Sequence, residues 1–93
     1  MPIRLMNDYG AARPLWNEEG LADDGQPPLP DELEAALRAW ATDFNAHFSW
    51  EEGWPSAAME RAHRAEGERL LAALREALPD DDVTFDYWEE AHR

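Results

Sequence analysis

Apolar side chains recur along this chain with two different periods, and the period changes twice. Residues 2–9 alternate, with Ile3, Leu5 and Tyr9 on one side and Arg4, Met6 and Asp8 on the other. Residues 82–88 alternate again, with Val83, Phe85 and Tyr87 set against Thr84 and Asp86. Period two marks a half-buried strand. Between these ends lie two segments whose apolar residues fall at helical spacing. In 31–48 the stripe is Leu33, Leu37, Trp40, Ala41, Phe44 and Phe48; in 55–78 it is Met59, His63, Leu70, Leu71, Leu74 and Leu78. Each set draws one face of a 3.6-residue helix. The pattern predicts a single α+β domain over residues 1–93, a two-layer β-α-α-β arrangement in which two helices cover a short antiparallel sheet. Its parts are a strand at 2–9, a loop at 10–30, helices at 31–48 and 55–78, and a strand at 82–88. Two successive helices reverse the chain twice, so the terminal strands are expected to pair antiparallel.

Local signals refine the outline. Gly10 ends the first strand. Arg13-Pro14-Leu15-Trp16 is a candidate third strand, and Pro14 argues for the sheet edge rather than its middle. A two-stranded ribbon is marginal alone, so this segment or a second subunit must complete the sheet. Asp31 and Glu34 have capping-box spacing at the start of the first helix. Pro55 suits the first turn of the second helix, with Ser56 or Trp54 as its cap. Gly67 sits on the apolar side of that helix, at a cost of roughly 1 kcal/mol, which predicts close approach of another backbone. Pro79-Asp80-Asp81-Asp82 stops the helix, and residues 89–93 are expected to fray.

A chain of 93 residues has one core and too few side chains to line a deep enclosed pocket as well, so a groove or a flat face is the expected binding geometry. The absence of cysteine excludes a disulfide scaffold, a zinc ribbon and a thiol nucleophile. With no apolar leader at the N-terminus and no run approaching the ~20 apolar residues of a membrane span, a cytoplasmic protein is expected. Every basic residue is arginine, which together with abundant alanine is what GC-rich coding produces.

The net charge is −13, and it is unevenly spread. Residues 55–78 are neutral, with four acids against four arginines, whereas 17–30 carry −4 and 79–93 carry −5. Such a field repels nucleic acid and anionic membrane and speeds encounter with basic surfaces.

Catalytic patterns are missing. Ser49 and Ser56 occupy turn or cap positions outside any G-x-S-x-G context, and the five glycines never form a phosphate-binding cluster. Glu60-x-x-His63 and Glu89-x-x-His92 have the spacing used in di-iron bundles, but those need four helices and two further glutamates. Asp80-Asp81-Asp82 lacks the spacing of a calcium loop. No catalytic residue, metal set or cofactor is called for.

Five tryptophans are more than a core of this size requires. Trp40 belongs to the first helical stripe; Trp16, Trp50 and Trp54 fall in loops; Trp88 falls opposite the Val83/Phe85/Tyr87 face. Trp16, Trp50, Trp54 and Trp88, flanked by Glu18, Glu19, Glu51, Glu52 and Glu89, have the composition of aromatic anchors inside an acidic rim. The competing reading is that the loop tryptophans fold back and plug the ends of a small core.

Asp8-Tyr9-Gly10, Pro14-Leu15-Trp16, Leu29-Pro30, the stripe Leu33, Leu37, Trp40 and Phe44, and Gly67 with Leu70 and Leu74 carry one further observation. Together with the acidic last strand, this layout resembles a set of small acidic proteins of high-GC actinobacteria. The resemblance covers most of the chain and implies the α+β fold; it brings no catalytic residue with it.

Three readings of function follow. The first is a non-catalytic module whose acidic, tryptophan-bearing surface holds a basic protein partner, in the manner of an immunity protein or antitoxin covering a toxin. It would bind neither nucleic acid nor membrane and would be a monomer or a homodimer. The second is a scaffold domain that completes its sheet in a homodimer. The third is a metal-dependent enzyme built on the E-x-x-H pairs.

Overall fold

The computed structural model describes residues 2–18, 20–22, 28–49 and 51–87. In chain order the elements are β1 (Pro2–Leu5), β2 (Leu15–Asn17), β3 (Gly20–Leu21), α1 (Asp31–His47), α2 (Ala57–Ala77) and β4 (Asp82–Phe85). The strands form one mixed sheet in the order β3-β2-β1-β4. Both helices pack against one face of it. There Ile3, Leu5, Leu15 and Val83 from the sheet close on Leu37 and Trp40 of α1 and on Leu70 and Leu74 of α2.

The sheet is wider than the alternation at its ends implied, because the expected loop at 10–30 contributes two strands. β2 lies inside the sheet, with Arg4 opposite Trp16 on one side and Trp16 opposite Leu21 on the other. Pro14 is compatible with this because it precedes the strand and offers only its carbonyl, which accepts from the Met6 N–H at 3.0 Å. Gly20, with φ +119°, supplies the backbone geometry that lets Asn17 and Gly20 pair across the turn.

The terminal strands pair in parallel, with Ile3 opposite Val83 and Leu5 opposite Phe85, which corrects the antiparallel expectation. Counting helices alone missed the reversals from β1 to β2 and from β2 to β3. A parallel pair needs a long crossover, and the chain between β1 and β4 supplies one. The outer edge of β4 is not left open. Arg75 of α2 donates Nε and Nη2 hydrogens to the Val83 carbonyl at 3.1 and 3.0 Å, so a helix side chain occupies that edge acceptor.

The helix ends follow different rules. Ser56 caps α2 by accepting the Met59 N–H. At α1 the expected capping box is absent: Pro30 is the cap residue and no side chain caps it. Glu34 is engaged elsewhere, bound by Arg13 through Nε and Nη2 and by Arg38 through Nε. The Arg13 side chain is fully buried, and its Nη1 donates to the Ala22 carbonyl at 2.9 Å. One guanidinium therefore fastens the segment after β3 to the first turn of α1. Burial pushes the Glu34 carboxyl up, but hydrogen bonding and charge from Arg13 and then Arg38 outweigh it and hold the group below its ordinary value.

A second polar station joins four parts of the chain. His63 of α2 is 2% exposed and stacks on Trp40 at 4.5 Å, while Trp54 lies 4.5 Å from its other side. The Asn7 amide nitrogen lies 2.8 Å from Nε2, and the Asp43 carboxylate lies 3.1 Å from Nδ1. An amide nitrogen only donates, so Nε2 accepts and the neutral ring carries its proton on Nδ1, facing Asp43. Burial lowers the His63 pKa; the Asp43 hydrogen bond and charge, and the charge of Glu66, offset this only in part.

Gly67 faces aromatic side chains rather than backbone. A Cβ there would lie 2.6 Å from Phe85 Cζ and 2.7 Å from Trp40 Cζ2, inside contact distance of both rings. Gly67→Ala should therefore destabilise by about 1–2 kcal/mol, because overpacking outweighs the ~1 kcal/mol gain in helix propensity. Urea unfolding measures this, and a more stable variant would contradict the packing. Arg13→Ala should cost about 2–4 kcal/mol in the same assay, less than a fully buried pair, because Glu34 keeps Arg38. Stability should also depend on pH in a defined direction. The unfolded chain protonates His63 near its ordinary value of 6.5 while the native ring stays neutral to lower pH. Stability from this group is complete above that pH and falls as pH drops below it. Glu34 and Glu66, both held below their ordinary 4.5, add a second loss at more acid pH. Unfolding free energies at pH 7.5 and 5.5 check the first window; equal values would refute it.

Candidate functional site

The face of the sheet turned away from the helices is built by strand alternation. Ile3, Leu5 and Val83 point into the core, so Arg4 and Thr84 point out, and both are exposed. Arg4 stands between Thr84 and Trp16 in the register, opposite Trp16 across β1–β2. The Trp16 indole Nε1 donates to the Met6 carbonyl at 2.9 Å, which fixes the ring while leaving it part-exposed. Across β2–β3 it meets Leu21, one of two large apolar residues exposed among the described residues, at 38%. Beside the indole runs an open groove of about 390 Å³, lined by Pro2, Arg4, Trp16, Asn17, Glu18 and Thr84. It offers one cation, one carboxylate, an amide and a hydroxyl around an aromatic plate. That combination can bind and orient a polypeptide surface; it contains no nucleophile–base pair.

The other sequence-predicted residues lie elsewhere. Glu51 and Glu52 are exposed in the turn between α1 and α2, which the Ser49–Gly53 bridge closes. Ser49 Oγ accepts the backbone N–H of both, at 3.2 and 3.3 Å. Trp54 follows them but is 9% exposed and packs on Phe44 and Phe48. It plugs the end of the core and buttresses the acidic turn from within, so it is not an exposed anchor. Glu19, Trp50, Trp88 and Glu89 lie outside the described residues. The fold thus brings Trp16 and Glu18 together in one groove and Glu51 with Glu52 in one turn, and that groove includes neither turn residue. Leu21, Arg4 and Thr84 were missed as site residues. Period-two alternation already put Arg4 and Thr84 on one side; Leu21 was hidden because its segment read as loop.

A smaller furrow of about 270 Å³ lies between the helices, with Ala36, Ala39 and Ala62 on its walls and Trp40, Asp43 and Glu66 around them. It touches His63, but both ring nitrogens are engaged, by Asn7 and Asp43. The Glu60-x-x-His63 pair therefore has no imidazole nitrogen to offer a metal. Glu89-x-x-His92 lies outside the described residues. Among the described residues no three His, Cys, Asp or Glu side chains are grouped to hold a metal ion, and no helix is long and apolar enough to cross a membrane.

The arrangement is an acidic molecule with a small open groove around a fixed tryptophan and an acidic turn elsewhere on its surface. No curated protein matches the chain. A family match does extend over residues 1–90, nearly the whole sequence, and on that ground the chain belongs to the Serratia CdiI immunity protein-like family.

Proposed function

We propose that this protein is an immunity protein that neutralises a toxin by binding it, without chemistry of its own, through an acidic surface carrying tryptophan. The observation that carries the reading is the family membership over residues 1–90. The net charge of −13 supports a partner with a basic surface. A field of this size concentrates a basic protein near the acidic one and raises the association rate, and salt screens that effect. The contact residues are proposed to come from Trp16, Glu18, Glu19, Trp50, Glu51, Glu52, Trp88 and Glu89. Trp54 contributes indirectly, through the packing that supports the turn bearing Glu51 and Glu52. Complex formation in the cytoplasm would cover the toxin's working surface.

The test takes as candidate toxin the product of the reading frame directly upstream of this gene. Co-production of the two proteins should rescue growth, and the purified pair should bind with an association rate that falls about tenfold or more from 50 to 500 mM salt. A double charge reversal, Glu51→Lys with Glu52→Lys, should slow association several-fold and leave thermal stability unchanged. Absence of rescue and of binding would sink the reading. Binding with a salt-independent rate would sink its electrostatic part.

A further inference from the structure

The helix-free face of the sheet combines two properties that do not fit simple charge attraction. It carries an apolar pair, Trp16 opposite Leu21, with Pro2 on the same side of β1 as Arg4. Its centre holds a cation. Arg4 is exposed and faces Trp16 on β2 and Thr84 on β4. Among the described residues no carboxylate pairs with it, although the chain carries 21 acids against 8 arginines. Arg13, Arg38, Arg64 and Arg69 are each paired with a glutamate and Arg75 with a strand carbonyl; Arg61, on α2 and away from the sheet, shares the exposure of Arg4.

We propose that this face is where the toxin docks, and that Arg4 is its register key. The inference rests on the immunity reading and adds the surface and the partner's chemistry. The occupant is a segment of the basic partner that lays an apolar side chain on Trp16 and Leu21 and sets basic side chains toward Glu18 and Asp82. It places one carboxylate against the Arg4 guanidinium. Three observations support this occupant over a second copy of the chain or a nucleic acid. The surrounding acids match a basic protein and oppose both an acidic copy and a phosphate backbone. The Trp16 ring is already held by the Met6 carbonyl, so little freedom is lost when it is covered. A lone charge of opposite sign inside an attractive field penalises every misaligned approach, which is how register and partner choice are imposed at charged interfaces.

Arg4→Glu separates this from attraction alone. It makes an acidic protein more acidic, so a mechanism based only on net charge requires tighter binding to a basic partner. A register key requires weaker binding. Binding kinetics of the wild type and of Arg4→Glu against the purified candidate toxin from the upstream reading frame decide between them. The expected result is an association rate equal to or above the wild type, dissociation faster by about a hundredfold, and loss of growth rescue. Thr84→Arg, which fills the groove from the β4 side, should weaken binding to a similar degree. Thermal unfolding should remain as in the wild type, since both positions are exposed. Arg4→Glu binding as well as or better than the wild type would overturn the inference. So would Thr84→Arg at full affinity. If the wild type itself fails to bind or rescue, the immunity reading falls and this inference falls with it. If the wild type binds and only Glu51→Lys with Glu52→Lys impairs it, the immunity reading stands and the docking face is wrong.

Discussion

An uncharged imidazole at the junction of four chain segments holds this small fold together. His63 stacks on Trp40 of α1, has Trp54 of the interhelical turn against its other side, receives Asn7 from the end of β1 and meets Asp43 further along α1. The Asn7 contact depends on Nε2 being unprotonated. A proton on Nε2 would face the Asn7 amide hydrogens, and a charge there would be held away from water between two indoles. The helices, the first strand and the turn share one polar centre, with the aliphatic core on one side and the Phe44–Phe48–Trp54 cluster on the other.

The charges divide by role in the same way. Those that organise the fold are paired: Arg13 with Glu34, and Arg75 on a strand carbonyl. Many of the remaining acids, among them Glu18, Glu51, Glu52, Asp80 and Asp82, are exposed and do not tie one element to another. An acid excess that plays no part in packing can be maintained for what it meets outside the molecule, at a small cost in self-repulsion.

Much of the fold could be read directly from periodicity. Leu33 to Phe48 and Met59 to Leu78 mark helices that the structure places within a residue or two of the expected bounds, and Ile3, Leu5 and Val83 are the core side of their strands. What escaped was non-local. β2 and β3 have three and two residues, too few for a period to register, and they exist because β1 offers β2 a partner and β2 offers β3 one. Glu34 has the spacing of a cap, but a buried arginine twenty-one positions earlier competes for its carboxylate more strongly than a helix terminus does. Gly67 announced a close approach, but the expected neighbour was a backbone and the actual ones are the rings of Trp40 and Phe85, which come from other elements. The candidate site was half visible. Trp16 and Glu18 were named from composition; Leu21 became their neighbour only through strand pairing, and Trp54 moved from surface to interior because three aromatic rings gather around the end of α1.

The Arg75 side chain on the Val83 carbonyl has a consequence for how such a molecule could change over time. A sheet that meets its partner by adding a strand at its edge recognises main-chain geometry, which substitutions hardly alter. With the Val83 acceptor occupied, strand addition at the β4 edge is obstructed, and recognition on the helix-free face passes through side chains standing on the strands, which can be exchanged one at a time while the backbone beneath them stays as it is. Specificity and foldability are then under separate control. A lineage pressed by a changing adversary could redraw the outward-facing positions of β1, β2 and β4 and keep the same core.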